Sequence, residues 1–129
     1  MKIFAAFILL IILSSSLHAS CVNWSEVYRC GNGDASLHLG QSWCAGNNKE
    51  AYHLTINSTH AQEHLSTLAR TQLSFLSLLP TENYGVFTSN INQYVTAVVS
   101  ENHQDASLNV ELFMDNKKLG EYIFRNCSF

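Results

Sequence analysis

The longest run with a single period is residues 59–80, THAQEHLSTLARTQLSFLSLLP, in which Ala61, Leu65, Leu68, Leu73, Leu76 and Leu79 recur every three to five positions. That spacing lays one apolar stripe along a helix and predicts about five turns. Thr59 and Gln62 fit a capping box at its start, and Pro80 ends it.

The rest of the chain alternates instead. Val22, Trp24, Glu26, Tyr28 and Cys30 fall on one side of a period-two segment, and GNGD at 31–34 is turn chemistry that tolerates positive backbone angles. Ala35, Leu37, Leu39, Gln41 and Trp43 then alternate with polar partners, which predicts a hairpin. A turn at 44–50 leads to a third strand carrying Tyr52, Leu54 and Ile56, and residues 84–88 suggest a short further strand. Residues 91–99 satisfy both periods, and their β-branched content tips the reading to strand. Leu108 to Met114, a DNKK turn at 115–118 and Leu119 to Phe124 predict a C-terminal hairpin. The sum is an α+β fold: an antiparallel sheet of about five to six strands with one long amphipathic helix packed on a face, stabilised by disulfides. In such a two-layer domain Trp24, Trp43, Tyr28 and Tyr52 are expected in the core, with an exposed recognition patch as the alternative.

The first residues change the picture of where this domain works. Lys2, the apolar run from Ile3 to Leu13 and Leu17-His18-Ala19 read as a secretory signal over residues 1–19, leaving a single domain over 20–129. The apolar run is too short for a membrane span, so the mature chain is expected to have no transmembrane segment. Periplasmic or secreted localisation follows. A lipoprotein anchored at Cys21 is less favoured, because His18 stands where a lipobox places leucine and acylation would leave an odd set of three cysteines.

Four cysteines in an exported chain form a disulfide framework, and their spacing lacks the C-x-x-C pairs of a zinc site. If 31–34 is a four-residue loop, facing positions sum to 65. Cys30 then faces Ala35 and Cys21 faces Cys44, so the expected bridges are Cys21 to Cys44 and Cys30 to Cys127.

Charge excludes one class of partner. Without Lys2 the chain has six Lys and Arg against ten Asp and Glu, and six minus ten gives −4. No basic cluster exceeds Lys117-Lys118, so no nucleic-acid groove is expected. Nor is there a nucleophile elbow, phosphate loop or dinucleotide fingerprint to mark an enzyme.

One string does carry potential chemistry. His60-Ala61-Gln62-Glu63-His64 matches the H-x-x-E-H string of the inverzincins, and that resemblance implies zinc held by His60 and His64 with Glu63 activating bound water. A further carboxylate ligand would have to come from Glu82, Glu101 or Glu111. The helical wheel places both histidines on a polar stripe, so the leading reading is a solvated first turn with no cofactor. Zinc is the alternative. His38 and His53, on the polar sides of neighbouring predicted strands, are a second candidate pair.

Tyr28-Arg29-Cys30-Gly31 also resembles the Y-x-C start of periplasmic lysozyme-inhibitor domains, a family that ties an early cysteine to one near the C-terminus and folds as a β-barrel. The later Ser-Gly-x-x-Tyr segment of that family is absent, and the predicted long helix departs from its barrel. The expectation is therefore a small exported binding module without catalytic activity, its target a protein or envelope component. The alternatives are a metal-binding protein or small metallohydrolase, and a structural subunit of an envelope or secretion assembly.

Overall fold

Alternating buried and exposed side chains run through most of the described chain and resolve it into strands joined by short reversals. The structure is a computed structural model that describes residues 22–42, 49–69 and 73–129. In order these form β1 (Val22–Cys30), β2 (Ala35–Ser42), β3 (Lys49–Ile56), α1 (Thr59–Ala69), β4 (Phe75–Pro80), β5 (Val86–Asn90), β6 (Val95–Asn102), β7 (Ser107–Met114) and β8 (Lys117–Phe124). Each strand pairs antiparallel with the next, giving one eight-stranded meander in the order β1 to β8. The α+β expectation of about five to six strands with a long helix is thereby corrected to a nearly all-antiparallel fold.

Residues 59–80 hold the largest correction. Only the first half is helical: Ala61 and Leu65 are buried, while Leu76 and Leu78 are buried as alternate residues of β4, with Phe75, Ser77 and Leu79 pointing out. Leucines at 73, 76 and 79 satisfy a helical period, and those at 76 and 78 satisfy a strand period equally well. Long-range pairing decides between them, because β4 supplies backbone partners to both β3 and β5. The cap also moves by one residue. Ser58 Oγ accepts the amide of Ala61, and the Gln62 side chain reaches the carbonyl of Ile56.

The reversal predicted at 31–34 is present, the DNKK turn narrows to residues 115–116 because Lys117 and Lys118 already pair in β8, and the turn predicted at 44–50 lies largely outside the described residues. Gly31 and Gly33 have positive φ in the first turn, and Asp115 and Asn116 both have positive φ between paired Met114 and Lys117, a two-residue primed turn. The 91–99 ambiguity resolves to β6.

A β-bulge in β1 reverses which way its side chains face. The register sums to 65 from Cys30↔Ala35 to Tyr28↔Leu37, then to 64 from Glu26↔His38 onward. Val27 is the extra residue, so Tyr28 and Cys30 face the core whereas Trp24 and Glu26 face outward. Trp24, expected in the core, is 46% exposed. Tyr28 and Tyr52 do join the core or its margin.

The sheet curls into a half-barrel. α1 leaves β3 yet packs on β8 and β7 at the other end of the strand order, which a flat sheet would not allow. The seam between first and last strands is stapled by the Cys30–Cys127 disulfide, flanked by Gly31 N–H to Asn126 O at 3.1 Å and Ser128 N–H to Arg29 O at 3.0 Å. The expected Cys30 to Cys127 bridge is thus present, and Cys21, Cys44 and residues 1–19 lie outside the described residues. Leu37, Leu54, Leu108, Val110 and Leu112 fill the concave side. Among the described residues no helix is long and apolar enough to cross a membrane.

Candidate functional site

The inward stripe of β6 runs Val95, Ala97, Val99, and its next inward position is Glu101. A carboxylate thereby continues an apolar row. Its side chain is only 9% exposed. Gly85 makes room for it: with φ of 73° it brings the β4–β5 loop close enough that an added Cβ would lie 3.3 Å from Glu101 Cβ, and its carbonyl accepts the Glu101 amide at 2.8 Å. Thr81 braces this loop, donating its hydroxyl to Val86 O at 2.8 Å and accepting the amide of Asn83 at 3.2 Å.

Glu101 opens into a cavity of about 450 Å³ lined by residues of β1 to β6 and by the C-terminal Phe129. That volume lies in the range of small-ligand sites. Tyr28, 5% exposed, reaches it from the bulged β1, while Tyr52 and Phe87 form an aromatic wall with centroids 5.4 Å apart. Phe129 meets Tyr28 edge-on at 4.7 Å and stacks on His103 at 4.3 Å. The disulfide and the Ser128 bonds to Arg29 hold Phe129 there.

The electrostatics of the cavity are one-sided. Glu101 Oε1 faces His103 Nε2 at 3.5 Å, whereas Glu101 Oε2 and the Tyr28 hydroxyl are buried and have no hydrogen-bond partner. Burial, and then the negative charge of Glu101, push the Tyr28 phenol far above its ordinary ionisation range. A side-chain hydrogen bond from the phenol to the carboxylate adds to that rise, but its geometry is too poor to satisfy either atom. Buried polar atoms are nearly always paired in native proteins, so two orphans facing one cavity mark it as a site.

A second cluster lies on the outer face of β1–β4. His38 and His53 stand opposite each other with ring centroids 5.1 Å apart, so the structure brings together the pair singled out from sequence. Trp24 and Phe75 flank His53 at 4.1 and 4.4 Å, and Trp24 covers Gly40, where a Cβ would sit 2.6 Å from the indole. Burial and the neighbouring His38 lower the pKa of His53.

The H-x-x-E-H residues occupy the first turns of α1, all three exposed. His60 and His64 sit 6.0 and 5.9 Å from the Tyr122 ring, and His64 Nε2 is bonded to Glu121 O at 3.0 Å. Among the described residues no three His, Cys, Asp or Glu side chains are grouped so as to share an ion. Glu101, weighed in the sequence only as a distant ligand, belongs to the cavity instead. The signal that would have found it is its parity with Val95, Ala97 and Val99.

No family model, curated protein or solved structure matches this chain.

Proposed function

We propose that this is a small exported binding module without catalytic activity, which recognises a protein or envelope component through the cavity closed by Tyr28, Glu101 and Phe129. The observation that carries the reading is the pair of unpartnered buried polar atoms, Glu101 Oε2 and the Tyr28 hydroxyl, inside an aromatic-walled cavity. A folded chain tolerates such atoms at a cost, and a ligand that pairs with them recovers that cost on binding.

Two further features support the reading. The disulfide suits an oxidising compartment, as the signal-like residues 1–19 do. The Y-x-C stretch and the tie from Cys30 to Cys127 are shared with the resemblance to periplasmic lysozyme-inhibitor domains, whose later Ser-Gly-x-x-Tyr segment this chain lacks.

The test uses the oxidised protein immobilised beside an Asn83→Trp variant, which plugs the cavity rim from an exposed loop position. Both are challenged with fractionated envelope proteins and glycans. A target retained by wild type and lost by the variant supports the reading, provided both unfold at the same temperature. A target retained equally by both refutes the cavity as its recognition site.

A further inference from the structure

We infer that the cavity takes a cation, the ammonium or guanidinium head of a lysine- or arginine-like group. This rests on the cavity being the recognition site and adds the chemical class of what enters it.

Three observations converge. The first is the 9% exposed Glu101 side chain, whose Oε2 has no donor at good hydrogen-bond geometry, the contact from the Tyr28 phenol being a poor one. A carboxylate without a donor in a water-poor site is stabilised most by a charged N–H group, since charge-assisted hydrogen bonds are the strongest available to it. The second is the charged lining, Glu50 and Glu101 with no lysine or arginine. An anionic ligand would meet two carboxylates and no basic side chain here. The third is the aromatic wall. Tyr52, Phe87 and Phe129 line the same cavity as the carboxylate, and the faces of such rings attract cations. The Tyr28 hydroxyl supplies a neutral acceptor for a second N–H, and burial keeps that phenol protonated and uncharged.

His103 bears on the same carboxylate, but through Oε1 at 3.5 Å and while stacked on Phe129. It leaves Oε2 to the ligand. The apolar lining residues Val27, Leu37, Pro80 and Phe87 offer surface for the four-carbon stem of a lysine-like cation. Two sources share this chemistry, a side chain presented by a partner protein and a free small amine.

The experiment is an amide-resolved NMR titration of the whole oxidised protein with probes of equal length: n-butylammonium, n-butylguanidinium, 1-butanol and butyrate. Acetyl-Gly-Lys-Gly-amide is the side-chain probe. The expected result is saturable shifts at Gly85, Glu101 and Phe129 with both cations, about tenfold or more tighter than with 1-butanol, and none with butyrate. Glu101→Gln should erase the preference for cations, while Tyr94→Ala, at an exposed position outside the cavity, leaves it unchanged. Tighter binding of the peptide than of butylammonium assigns the site to a partner's side chain, and the reverse order assigns it to a free amine. Equal affinity for 1-butanol and butylammonium, or binding of butyrate, overturns the cationic assignment and leaves the cavity as a recognition site. Absence of shifts at the cavity with every probe overturns the cation inference too. It bears on the cavity itself only if the Asn83→Trp variant also retains the envelope target. Because the probe comparison is made within wild type, the inference stays testable if Glu101→Gln fails to fold.

Discussion

Replacing Cys30 and Cys127 together by alanine should remove most of the margin by which this domain is folded. The bridge joins residues 97 apart in sequence, spanning nearly all of the described chain. Opening a loop of that length returns to the unfolded chain an entropy equivalent to about 4.7 kcal/mol at 25 °C. Small domains are stable by roughly 5–15 kcal/mol, so the loss is a large share of the total. For a domain near this size it corresponds to a fall in Tm of roughly 20–35 °C. The two hydrogen bonds that flank the bridge remain available, but at about 1 kcal/mol each they do not replace it. The assay is urea unfolding of wild type and the double variant at pH 7, followed by circular dichroism. The transition midpoint should drop steeply and the dependence on urea should steepen, because an untethered unfolded chain exposes more surface. Deleting Phe129 alone, which removes a cavity wall but leaves the disulfide, is the control and should cost far less. A loss below about 1 kcal/mol in the double variant would refute the loop-entropy reasoning, and with it the idea that the staple holds the half-barrel closed.

Other consequences follow from particular contacts. Gly40→Val should force Trp24 off the β2 surface and destabilise by about 1–3 kcal/mol, read as a red shift of indole emission that is absent in a Trp24→Phe background. The lowered pKa of His53 means that the unfolded chain takes up a proton before the native state does as pH falls below about 6.5. Stability contributed by neutral His53 is therefore complete above that pH and is lost as pH falls toward the folded value. Urea midpoints compared at pH 7 and 5 should show a smaller acid loss in His53→Gln than in wild type, and an equal loss would count against it. For zinc, calorimetric titrations of wild type and His64→Ala should superimpose, since His64 Nε2 is already bonded to Glu121 O. Tight one-to-one binding lost in the variant would restore the metal reading.

How much of the site was legible varies with how local its causes are. The 31–34 turn and the C-terminal hairpin follow from Gly, Asn and Asp at positions that need positive φ, which neighbours in sequence dictate. Cys30 with Cys127 was expected by elimination from a register that sums to 65 throughout; the bridge is present, but the bulge shifts that sum to 64 before Val27. The bulge at Val27 was not legible, because one extra residue in β1 shows only against its pairing with β2. That bulge sends Trp24 outward, while Tyr28 stays on the unshifted side and keeps the inward parity of Cys30, so the irregularity decides the content of the outer cluster. Glu101 was missed for a related reason: its parity with Val99 has meaning only once residues 95–102 are a strand.

By itself the sequence determined the reversals at 31–34 and in the C-terminal hairpin and the alternation of most strands, because each depends on residues adjacent in the chain; it only favoured the early-to-late disulfide among three pairings. Tertiary structure alone decided that residues 75–80 are a strand, that the sheet curls until α1 reaches β8, and that an acid, a phenol and the last residue share one cavity. Those outcomes depend on pairing between segments far apart in sequence. Where two periods fit one stretch equally well, the backbone hydrogen bonds available from distant strands break the tie.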